Sequence, residues 1–144
     1  MLKIFLYPLI VVMACGIAAS IGVHLTALAG GTVSRSWANS LHEGVVLLSI
    51  PSVLVSMEVT RQVRREDFWE AALAGCPAWM HRALRYLVGY SLLAFLVFSV
   101  VSLGGPVRIG VAEWTPSTLA FFSSVWMLGY AIHFAVLYSR VRLP

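Results

Sequence analysis

Charge is what this sequence has least of. Ten Lys or Arg and six Asp or Glu make up 11% of its 144 residues, where soluble globular chains carry about 25%. With 60% hydrophobic residues and a mean hydropathy of +0.87, a soluble domain is excluded, because so few charges cannot cover so much apolar surface. Cysteine is scarce too: Cys15 lies in an apolar run and Cys76 in the most charged stretch. Their different depths argue against a disulfide between them. There is no Cys-x-x-Cys pair, as a four-helix thiol-oxidising quinone reductase would need, and no His-Glu-x-x-His, phosphate-binding loop or Gly-x-Ser-x-Gly. No catalytic residue and no metal site is therefore expected. The pI of about 9.5 and the net charge of +4 do not make a nucleic-acid surface, since the arginines sit at the ends of apolar runs without interleaved aromatics. They read as an orientation signal and as contacts to anionic lipid headgroups.

What is present is four apolar runs. Ile4 to Ala29 carries no charge, and 26 residues at about 1.5 Å each exceed the roughly 30 Å of a bilayer's hydrocarbon. This predicts a first transmembrane helix over 4–29. A cleaved signal peptide is the rival reading, from Lys3 and the small-residue pattern Ala27-Leu28-Ala29, and lipoprotein processing at Cys15 is its variant. The apolar run is far longer than a signal peptide needs, and the residues behind Cys15 are apolar where a lipoprotein has a polar tether, so a retained helix is expected. Within it, Gly16 with Ser20, and the offset pair Ala18 with Gly22, make small-residue ridges that let another helix approach closely.

The second run, Gly44 to Met57, is only about 21 Å long as helix. Extending it to 41–60 restores a span and draws His42, Glu43 and Glu58 to its edges, with Pro51 and an expected kink in the middle. Further spans are predicted over 83–103, ended by Gly104-Gly105-Pro106, and over 117–138, announced by Trp114 and Pro116. Trp37, Trp69, Trp79 and Trp114 fall where interfacial anchors belong. The expected fold is an all-α integral membrane bundle of four transmembrane helices in one domain, residues 1–144.

Between the second and third spans, Arg61 to Tyr86 holds five of the ten basic and three of the six acidic residues. Glu66 and Asp67, followed by Phe68, Trp69, Ala72, Leu73 and Cys76 at helical spacing, predict a short amphipathic interfacial helix over 66–75, broken by Gly75-Cys76-Pro77. Placing this loop in the cytoplasm puts Lys3, Arg61, Arg64, Arg65, Arg82, Arg85, Arg140 and Arg142 inside and only Arg35 and Arg108 outside. That eight-to-two bias predicts a multi-pass inner-membrane protein with both termini cytoplasmic.

Two constellations bear on chemistry. His24 and His42 are expected near the outer face and His81 and His133 near the inner one, two pairs at matched depth such as b-type haem requires. Against that, His42 and His81 lie where helices meet headgroups. Glu43 and Glu58 are the candidates for proton or cation handling, although at the ends of a helix each can be solvated, or paired with Arg35 or with Arg61 and Gln62 respectively. Small multidrug transporters, four-helix proteins of similar length, would carry their membrane-embedded glutamate in the first helix, and this one has none.

Phe68-Trp69-Glu70, Gly75-Cys76-Pro77-Ala78-Trp79-Met80, Phe122-Ser123-Ser124-Val125-Trp126-Met127 and Leu137-Tyr138-Ser139 together resemble a pattern in small, uncharacterised bacterial inner-membrane proteins with four transmembrane helices. The resemblance implies no activity. The expectation is a non-catalytic subunit or assembly partner of a membrane complex, surrounded by lipid and bound to other subunits or to itself, without cofactor or nucleic acid. A b-type haem redox protein and a small proton-coupled transporter are the alternatives.

Overall fold

The computed structural model describes residues 2–61, 63–103 and 114–143. The predicted break at Gly104-Gly105-Pro106, the outer-loop charges Arg108 and Glu113, and Gln62 lie outside the described residues. The described chain is all helical: α1 (Leu2–Leu28), α2 (Arg35–Thr60), a 3-10 turn (Arg65–Asp67), α3 (Phe68–Ala72), α4 (Ala78–Leu103) and α5 (Pro116–Arg142). Four of these, α1, α2, α4 and α5, are long and apolar enough to cross a membrane.

Local chemistry sets the ends. At the end of α1, Gly30 takes φ +79°, with Gly31 N–H donating to the Thr26 carbonyl at 2.9 Å and Gly30 N–H to Ala27 at 3.0 Å. This is a Schellman stop, which a residue without a Cβ adopts without strain. Ser34 caps α2, its hydroxyl accepting from Trp37 N–H. Thr115 caps α5 by accepting from Thr118 N–H, with Pro116 in the first turn. The cap at Ser34 lets α2 begin at Arg35, six residues before Leu41, where hydropathy alone predicts it; that longer helix carries its polar first turns out of the apolar zone. α2 runs unbroken through Pro51, which leaves the Leu47 carbonyl without its helical donor.

The bundle is organised around α5. Half of the most apolar stretch of α5 is buried, against 22% for α1, 17% for α2 and 11% for α4. α1 and α4 run antiparallel to α5, and α2 runs parallel to it. α1 contributes a seam at alternating three- and four-residue spacing: Met13, Gly16, Ser20, Val23 and Ala27, all buried. Tyr130 is the wedge at mid-bundle. Its ring lies against Gly16 of α1, where an added Cβ would overlap it, and its hydroxyl lies against Gly44 of α2. That hydroxyl donates to the Leu41 carbonyl at 3.0 Å.

α4 leans on α5 alone among the long helices. Leu73, Met80 and Leu84 pack on Ala131, Ala135 and Val136, and Ser91 donates to the Ser124 carbonyl at 3.1 Å. The short connecting helix is smaller than its sequence suggests and less of a surface float. α3 ends at Ala72 rather than residue 75, and Ala72 and Leu73 are buried within the protein. The Gly75-Cys76 break is docked on the last turns of α5: Gly75 N–H donates to Ser139 Oγ at 2.9 Å, and the Cys76 thiol to the Ala135 carbonyl at 3.2 Å. A Cβ at position 75 would run into the Ser139 backbone, so glycine is required there by close approach and not by backbone angle. The arrangement brings the start of α1, the end of α5, the α2–α4 connection and its arginines to one end of the bundle, the terminal end. Arg35 and Trp114 lie at the other, the distal end.

Candidate functional site

His24 is the one sequence-predicted residue that the fold encloses. It is 6% exposed, in the distal half of α1. Both ring nitrogens are engaged: Nδ1 with Ser123 Oγ of α5 at 2.8 Å, and Nε2 with the Tyr90 hydroxyl of α4. The proton directions follow from the neighbours. Ser123 Oγ lies 2.5 Å from the Leu119 carbonyl, which can only accept, so the serine donates there and accepts from Nδ1–H. Nε2 then carries the lone pair, and Tyr90 donates to it. The result is a directed chain, Tyr90 O–H to His24 to Ser123 to the Leu119 carbonyl, linking three helices at membrane depth. The two rings meet edge to face at a centroid separation of 5.4 Å.

Beside this chain lies a crevice of about 230 Å³. Its walls are α1 at His24 and Leu28 and α4 from Tyr90 to Phe98, and its floor is α5 from Ser117 to Phe121. It exists because α1 and α4 do not pack on each other; the hydrogen bond from Tyr90 to His24 is the side-chain link between them.

The other predicted residues are scattered. His42 is exposed on α2, and its Nδ1 accepts from Trp126 Nε1 at 3.2 Å. It reaches α5 at Phe122 and Trp126, a different face from the Ser123 that holds His24. His81 and His133 are half-buried and make no side-chain hydrogen bond among the described residues. No group of three His, Cys, Asp or Glu that could hold a metal ion occurs among the described residues. A haem iron at His24 would have to displace Tyr90 from Nε2 or Ser123 from Nδ1. Glu43 and Glu58 are both exposed on α2, about 22 Å apart along its axis by helical rise, and do not share a site. Among the described residues neither is ion-paired; the pair found there is the exposed Arg64–Glu66 at 3.6 Å. Trp37, Trp69 and Trp79 are exposed. Trp114 is half-buried, its ring against Phe122 at 5.3 Å and Trp126 at 5.6 Å, so it closes the distal end of the core.

Sequence reasoning missed Ser123 and Tyr90 as the partners of His24. The available signal was a histidine inside a charge-free run, whose ring nitrogens need partners from other helices.

A helical bundle with four apolar helices, organised on the last of them, fits a small multi-pass membrane protein. No protein-family model, curated protein or solved structure matches the chain.

Proposed function

We propose that this chain is a small, non-catalytic subunit or assembly partner in a membrane complex, docking through the outward face of α1 onto a transmembrane helix of another subunit or of a second copy. The observation that supports it is the division of the two small-residue ridges of α1. Gly16 and Ser20 are buried, Gly16 against the Tyr130 ring of α5. The other ridge, Ala14, Ala18, Gly22 and Thr26 at four-residue spacing, is exposed along its whole length, and a Cβ added at Gly22 would meet nothing. Small residues let backbones approach closely in lipid, where helix association depends on van der Waals contact because lipid tails are as apolar as side chains.

The same reading puts the protein in the bacterial inner membrane with both termini cytoplasmic. The basic residues gathered at the terminal end favour it, by the positive-inside bias. The association is tested by replacing Leu25, a large residue 61% exposed beside the ridge, with photoreactive benzoylphenylalanine and irradiating native membranes. An adduct to a second polypeptide, lost in Gly22→Ile, is the expected result; adducts to lipid alone would overturn the proposal.

A further inference from the structure

We infer that the crevice between α1 and α4 binds a lipid-soluble molecule that carries a single hydroxyl on a flat apolar ring, with Tyr90 Oη accepting the hydroxyl hydrogen. This goes beyond the assembly role and does not depend on it. The crevice is on the opposite flank of α1 from the outward ridge.

Three observations select this class of ligand. Size is the first. An apolar cavity of about 150 Å³ takes up benzene, so about 230 Å³ admits a substituted ring, with any tail left in the open side. Shape and access are the second. Phe98 and Phe121, both lining residues, are stacked with their planes 11° apart at 4.9 Å, which makes a flat wall. On the open side Leu93 and Val97 are 58% and 56% exposed; they lie within a helix long and apolar enough to cross a membrane, so that side is open to acyl chains, while Leu28 and Ser117 line its distal end.

Hydrogen-bond polarity is the third. The Tyr90 hydrogen is committed to Nε2 of His24, because Nδ1 is the protonated nitrogen of that ring. The Tyr90 oxygen keeps lone pairs and no hydrogen for a guest. A hydroxyl guest completes the chain as its terminal donor, whereas an ether or ketone would set lone pair against lone pair. Ser117, the other polar lining residue, is hydrogen-bonded to Thr115 Oγ1 at 3.1 Å.

The test uses the full chain in phosphatidylcholine nanodiscs. The probes are 4-pentylphenol bearing a diazirine on its alkyl chain, and the O-methyl ether of the same probe. Saturable labelling of the segments 93–98 or 117–121, with the phenol bound about fivefold tighter than the ether, is the expected result, one net hydrogen bond being worth about that ratio. In Tyr90→Phe the preference falls to parity, and Ala94→Leu, which narrows the crevice, reduces labelling by both probes. Equal affinity for phenol and ether in the unaltered protein would overturn the inference, as would labelling that rises linearly with probe, which is what a crevice filled by acyl chains gives. Should a variant fail to fold, the phenol-to-ether ratio in the unaltered protein still decides.

Discussion

The hydroxyl of Tyr90 on α4 donates to Nε2 of His24 on α1, and among the described residues it is the side-chain hydrogen bond that ties those two helices together. α4 otherwise leans on α5 alone. Breaking the bond should therefore loosen α4 more than its single-atom chemistry suggests. Tyr90→Phe removes the donor and leaves Nε2 without a partner in an apolar setting, at a cost of about 1–3 kcal/mol. It should lower the thermal midpoint in detergent and raise hydrogen exchange in α4. An unchanged midpoint would mean that the bond does not hold the helix.

Gly44 and Tyr130 make a sharper test. The atom that an added Cβ at position 44 would strike is the Tyr130 hydroxyl oxygen, the next being Cζ at 3.5 Å, an ordinary contact. Gly44→Ala alone should destabilise the protein by about 1–3 kcal/mol through overpacking. Tyr130→Phe alone loses the bond to Leu41, worth about 1 kcal/mol. In the double variant the clash is gone, so the two effects should fall short of adding. Strict additivity of the unfolding free energies would argue against the wedge.

At Gly16 the obstacle is the ring itself, so removing the hydroxyl should not help. Gly16→Ala is expected to be as damaging in Tyr130→Phe as in the unaltered chain, and to be relieved only by a smaller residue such as Tyr130→Ala. Measured midpoints across these variants separate ring contact from hydroxyl contact.

Burial against the last turns of α5 pushes the Cys76 thiol up to about 11 from 9.0, with a backbone hydrogen bond from Ser139 pulling weakly the other way. At pH 8 only about 0.1% is thiolate, the reactive form. In a Cys15→Ser background, the iodoacetamide rate should climb about tenfold per pH unit from 8 to 10 without levelling. A plateau near pH 9 would show the thiol to be solvated. Because the folded state holds this proton more tightly, its contribution to stability is complete below pH 9 and is lost as pH rises through 11.

Topology has its own measurement. A reporter fused after Pro144 should read cytoplasm, and an intact first helix should keep Lys3 on the same side. A periplasmic signal would mean that the four spans run the other way or that their number is odd, and the orientation read from the arginines would be abandoned.

Much of this molecule follows from sequence alone, for a simple reason. In lipid every backbone polar group must be satisfied within its own segment, so a charge-free run of sufficient length is a helix whatever its neighbours do. The four spans, the connection carrying Arg61 to Tyr86, and the gathering of basic residues at one end are all of that local kind. Hydropathy could not tell which face of each helix turns inward, because α1 and α5 are apolar all round and carry no polar stripe to mark the lipid side. Small residues were visible on two ridges of α1, but nothing in one dimension says that Gly16 takes the Tyr130 ring while Gly22 faces outward. The histidines were read as pairs by depth. The fold instead gave His24 to Ser123 and Tyr90, 99 and 66 residues away, because hydrogen-bond partners are chosen by which helix faces meet. That choice belongs to the tertiary packing on α5 and not to any run of residues.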